Sequence, residues 1–79
     1  MVTAEQVLDE YFLEVRCMLL EIAATLDRYE VSAEQSGTTA GEVDPRLEKI
    51  HQSLAILADS SGTSDRAERL LTLFSDPID

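Results

Sequence analysis

Glu48 and His51 are the first residues of this 79-residue chain whose types and spacing could do chemistry. On a helix, Glu-x-x-His sets a carboxylate and an imidazole one turn apart, the arrangement with which carboxylate bundles hold metal when another helix adds a Glu. Glu14 or Glu21 would be that Glu, in a half-bundle completed by a second copy. The angles oppose convergence: Glu48 falls roughly 130° from the apolar face of its helix and His51 about 70°. Glu14 and Glu21 are also separated from each other by about 10 Å of rise, too far to share one ion directly. A solvated Glu and a His at the edge of the core account for the pair more simply, so no metal or other cofactor is expected.

Cys17 and His51 are the only thiol and the only imidazole. Nucleophilic catalysis needs such a pair within hydrogen-bond reach. Cys17, however, faces away from the main apolar seam of its helix, whereas His51 borders that of another. Cys17 reads as a small apolar residue. No glycine-rich phosphate loop, serine elbow or spaced Cys/His cluster is present. The chain is therefore not expected to be an enzyme.

Sixteen acids against six bases leave a net charge of -10. Residues 1–35 carry eight acids and two bases, and residues 42–79 carry eight and four. Both halves repel phosphate, so neither nucleic acid nor an anionic membrane surface is an expected partner. No apolar run approaches the ~20 residues of a membrane span, and no basic-then-apolar leader is visible. A cytoplasmic address is the resulting expectation. Apolar residues make up 44% of the chain, an ordinary share for a folded domain. A core of this size supplies roughly 3–5 kcal/mol without help, and a single cysteine rules out an internal disulfide.

The elements that position these residues are all helical. Thr3 with Gln6 has capping-box spacing, and an apolar period runs from there to about Val31. Residues 32–43 hold two glycines and no period, and predict a flexible loop. Asp44 followed by Pro45 is an N-cap with proline at N1, opening a helix that continues to about Ser60, with Gly62 suited to a left-handed stop. Thr63 or Ser64 is expected to cap a third helix over about 65–74, supported by an Asp65–Arg69 pair and ended by Ser75-Asp76-Pro77. The fold class is all-α: a small helical bundle of one long N-terminal helix and two shorter ones, in a single domain over residues 1–79.

Leu8, Phe12, Val15, Leu19, Ile22 and Leu26 fall within roughly 80° of the first helix, a heptad seam. Leu47, Ile50, Leu54, Leu57 and Ala58 answer on the second, and Ala67, Leu70, Leu71 and Phe74 on the third. These three stripes are expected to share one core. Leu13, Cys17, Leu20 and Ala24, with Val31 beyond them, form a second stripe about 120–180° from the seam. A helix apolar on two faces is buried on two faces. Either the two shorter helices straddle the first and cover both stripes, or a second chain covers this one; Leu13, Cys17, Leu20 and Ala24 are the expected interface of a homodimer, the commonest oligomer. Glu10, Glu14 and Glu21 form a solvated ladder, or a contact for a protein partner with a basic surface.

The segments Tyr11-Phe12-Leu13-Glu14-Val15-Arg16, Ala23-Ala24-Thr25-Leu26-Asp27-Arg28, Arg66-Ala67-Glu68 and Leu73-Phe74-Ser75-Asp76-Pro77 resemble a group of small uncharacterised bacterial helical proteins. The resemblance covers the two ends of the chain. It implies a small helical fold and a bacterial origin, and brings no activity with it. The expected function is a non-enzymatic protein–protein interaction module acting as a homodimer. The alternative is a ferritin-like carboxylate/histidine half-bundle using Glu14, Glu21, Glu48 and His51.

The charge balance has a direct consequence. Raising salt from ~0.01 M to ~1 M shortens the screening length from roughly 30 Å to 3 Å, so the self-repulsion of -10 charges should weaken and the melting temperature rise. Thermal melts followed by circular dichroism across that range test this. A melting point that falls with salt would mean specific ion pairs outweigh the net repulsion.

Overall fold

A computed structural model describes residues 1–37 and 44–75. Thr3 begins α1 (Ala4–Ser36) with extended backbone and a hydroxyl that accepts the Gln6 N–H at 3.1 Å. The Gln6 side chain in turn accepts the Thr3 N–H at 2.9 Å, completing the capping box that the spacing predicts. The helix runs on through residues 32–36, which the sequence assigns to the loop. Ala33, Glu34 and Gln35 rank among good helix formers, so nothing there opposes another turn. Gly37 stops it, adopting φ 74° and turning its N–H to the Ala33 and Glu34 carbonyls. At 33 residues α1 is about 50 Å long. Residues 38–43 of the expected loop lie outside the described residues.

Asp44 caps α2 (Pro45–Ala58) as predicted, its Oδ1 accepting the Arg46 N–H at 2.9 Å, with Pro45 in the first turn. The Arg46 guanidinium returns to the same carboxylate as a fork, Nε to Oδ1 at 3.1 Å and Nη2 to Oδ2 at 2.7 Å. These bonds hold the Asp44 carboxyl down to about 2, the Arg46 side chain contributing most and the Arg46 N–H next.

The second helix ends at Ala58, short of the expected Ser60, because Asp59 leaves the helix with extended backbone while its N–H bonds the Ile56 carbonyl at 3.2 Å. Gly62 is left-handed at φ 84°, but it lies in the turn beyond the helix end and does not cap it. Ser64 is also left-handed, at φ 58°, and so caps nothing. Asp65 takes the place expected for Thr63 or Ser64: its carbonyl accepts the Arg69 N–H at 3.0 Å at the head of α3 (Arg66–Ser75). The Thr63 hydroxyl donates to the Asp65 carboxylate at 2.6 Å. Asp76 and Pro77, the expected stop, lie outside the described residues. Among the described residues there is no strand, and the architecture is all-α, with one long N-terminal helix and two shorter ones.

The chain divides into two units, Met1–Thr39 and Ala40–Asp79. In the second, α2 and α3 pack on each other. Asp59 ties them: its Oδ2 meets Arg69 Nη1 at 2.7 Å, its Oδ1 accepts the Ser61 N–H at 3.0 Å, and its carbonyl accepts from Arg66. The predicted Asp65–Arg69 pair is present but looser, at 3.9 Å. At the other end Lys49 Nζ donates to the Leu73 carbonyl at 2.6 Å, placing a cation on the carbonyl end of α3.

These polar contacts set which faces meet, and the faces differ from the expected ones. Ser53 is the one buried residue among those described, at 9% exposure, with its hydroxyl bonded to the Lys49 carbonyl at 2.8 Å. Leu47, Lys49, Ile50, Leu54 and Ile56 are half-buried around it, whereas Leu57 and Ala58 are exposed. On α3, Arg69, Leu70 and Leu73 are half-buried, and Ala67, Leu71 and Phe74 are exposed, Leu71 at 71%. The covered faces keep Leu47, Ile50 and Leu54 of the expected α2 stripe and Leu70 of the α3 stripe, and add Lys49, Ser53, Ile56, Arg69 and Leu73 beside them.

Both Asp44 and Asp59 titrate below the usual carboxylate range, Asp59 chiefly through its bond from Arg69 and then through the Ser61 N–H. A depressed folded-state value means the stabilisation is present above the unfolded value, near 4, and is lost as pH falls through the folded one. Helicity should therefore fall as pH drops from about 4 towards 2. Asp59→Asn should lower the melting temperature at pH 7 and flatten that acid dependence. An unchanged melt at pH 7 would show that the Asp59–Arg69 pair contributes nothing to holding α3.

Candidate functional site

The long helix carries the candidate surface. None of the 33 residues of α1 is buried. Leu13 is 66% exposed and Leu20 54%, and Cys17 and Ala24 beside them are exposed as well. Cys17 is a free thiol. The seam is half-buried at Ile22 and Leu26 and exposed at Leu8, Phe12, Val15 and Leu19. Helical winding alone puts Leu13, Cys17, Leu20 and Ala24 on one line, at intervals of four, three and four.

Ala24 shapes that line. Its single methyl leaves a shallow depression bordered by Leu20, Glu21, Thr25 and Arg28. Residues 21, 24, 25 and 28 stand at i, i+3, i+4 and i+7, the four-cornered outline into which a facing helix inserts a side chain. Thr25 donates its hydroxyl to the Glu21 carbonyl at 2.9 Å, which fixes that wall. The stripe itself follows from the sequence; the socket is a feature that only the small residue within the apolar run could have signalled.

Charges border the stripe. Asp9, Arg16 and Glu30 lie along one flank, and Glu14, Glu21 and Arg28 along the other, all exposed. The ion pairs among the described residues join Asp44 to Arg46, Asp59 to Arg69 and Asp65 to Arg69, all in the second unit. The flanking charges of α1 make none.

Glu48 and His51 are both exposed, so His51 does not sit at the core edge the sequence predicts, because the packed face of α2 is turned towards Ser53. Glu14 and Glu21 are exposed on α1. Among the described residues no group of three or more His, Cys, Asp or Glu could hold a metal ion. A second shallow groove, lined by Ile56, Asp65, Glu68, Arg69, Thr72 and Leu73, lies between α2 and α3, and its one cation is already engaged by Asp59. No helix among the described residues is long and apolar enough to cross a membrane.

No family model, no curated protein and no solved structure matches the chain.

Metal binding has a clean test, since a bound ion would raise the melting temperature. Iron, manganese or zinc should give no saturable shift beyond a weak effect common to acidic surfaces. A stoichiometric shift abolished by His51→Ala would establish the carboxylate/histidine site.

Proposed function

We propose that this protein works by binding another macromolecule rather than by catalysis, and that its first partner is a second copy of itself, seated on the Leu13–Cys17–Leu20–Ala24 stripe of α1. The observation that carries this is the double apolar character of α1 over a length that has no buried residue. The absence of a spaced nucleophile–base pair in the sequence agrees with it. Magnitudes set the expected strength. Fully burying a leucine is worth roughly 1.5–3 kcal/mol, so the four leucines of a symmetric pair contribute about 6–12 kcal/mol. Association costs on the order of 4–15 kcal/mol, so the result is a weak dimer that dissociates on dilution. In the unpaired chain the acidic ladder of Glu10, Glu14 and Glu21 is open to a protein partner, whose surface would have to be basic.

Leu20→Arg tests the proposal at the centre of the stripe. Leu and Arg rank close in helix propensity, so the substitution leaves the helix itself intact. The variant should be monomeric by light scattering at concentrations where the wild type is dimeric, with its helical circular dichroism retained. Loss of helix would mean that the stripe is core within one chain, where an unpaired charge cannot be buried. A variant both folded and dimeric would place the interface on another face.

A further inference from the structure

The flanking charges of the stripe specify how two copies would lie. This inference rests on the proposed self-association through α1 and goes on to its direction. In a parallel pair, the two-fold axis runs along the helices and brings the Arg16 flank of one chain against the Glu14–Glu21 flank of the other. In an antiparallel pair, the axis is perpendicular and each flank meets itself.

Levels along the helix then decide between the two. In the parallel, in-register pair, Arg16 stands two residues, about 3 Å of rise, from the partner's Glu14. Arg28 stands equally close in level to the partner's Glu30. Each contact joins opposite charges, and symmetry makes each occur twice. In an antiparallel pair that sets Leu13 against the partner's Ala24 and Cys17 against the partner's Leu20, Glu14 stands about 3 Å in level from the partner's Glu21. Asp9 stands as close to the partner's Glu30. Both are acid against acid, and both also occur twice. The residues that end the stripe, Glu10 and Asp27, face acids in either arrangement and do not discriminate. Because none of these flanking charges has an ion-pair partner among the described residues, they are available to select the direction. We propose that two copies of the chain pair through Leu13, Cys17, Leu20 and Ala24 in parallel and in register, with Arg16 of each chain beside the partner's Glu14.

Two measurements on the full chain test this. In the first, Glu10→Cys in a Cys17→Ala background is oxidised. The parallel pair brings the two introduced thiols together and should cross-link the dimer, whereas the antiparallel pair holds them about 25 Å apart and cannot. In the second, Glu14→Arg should weaken dimerisation several-fold by sedimentation, because it sets arginine against arginine, and adding Arg16→Glu should restore it. Circular dichroism checks that each variant keeps its helices. No cross-link, together with a tighter Glu14→Arg dimer, would overturn the parallel arrangement while leaving self-association standing. A wild-type chain that stays monomeric at every concentration would overturn both.

Discussion

Asp59 is the residue on which the second half of the chain turns. Its backbone ends α2, its Oδ1 organises the following turn through Ser61, and its Oδ2 reaches ten residues ahead to Arg69 on α3. One carboxylate thereby fixes where one helix stops and how the next returns. With Lys49 gripping the Leu73 carbonyl at the far end, α3 is held at both extremities by charge-assisted bonds. Apolar contact between α2 and α3 fills in between and is modest: no apolar residue among those described is fully buried. The pair is thus positioned by polar geometry first and by packing second, the reverse of the usual order in helical proteins.

What the sequence made legible follows the range of the interaction. Thr3 with Gln6, and Asp44 with Pro45, are caps whose partners lie within three residues, and both appear as the spacing predicts. The sequence ends α1 at about Val31, with room to continue to Gln35, because its apolar period stops there. Ser32 to Ser36 carry no face to bury, yet keep helical backbone until Gly37 offers a left-handed exit. Arg69 shows the limit from the other side. The local rule pairs it with Asp65, four residues back, but Asp59 comes closer because the turn returns the chain. The helical wheel holds for Leu47, Ile50, Leu54 and Leu70, which are half-buried, and not for the rest of the two stripes. Leu71 and Phe74 then stand exposed, while Ser53, an unremarkable serine by pattern, is buried.

The candidate surface divides along the same line. That Leu13, Cys17, Leu20 and Ala24 share a face is helical arithmetic and needs no structure. That Ala24 opens a socket beside Leu20 requires neighbouring side chains with real volumes. The proposed pairing would be a property of two molecules, and a single sequence carries it only as complementarity, in Arg16 and Arg28 set among acids. Glu48 and His51 have the spacing of a metal motif, and both stand exposed on α2, away from the face turned towards Ser53.

The confinement of burial to Ser53 also has a calorimetric side. The heat capacity of unfolding grows with the apolar area newly exposed to water. A unit that hides so little among its described residues has little to expose, so a shallow stability curve and a broad, small unfolding endotherm are expected. Docking on the α1 stripe would remove apolar surface that the free chain leaves wet, and a negative heat-capacity change would accompany association. For this protein the thermal signature usually assigned to a folding core would belong instead to the act of finding a partner.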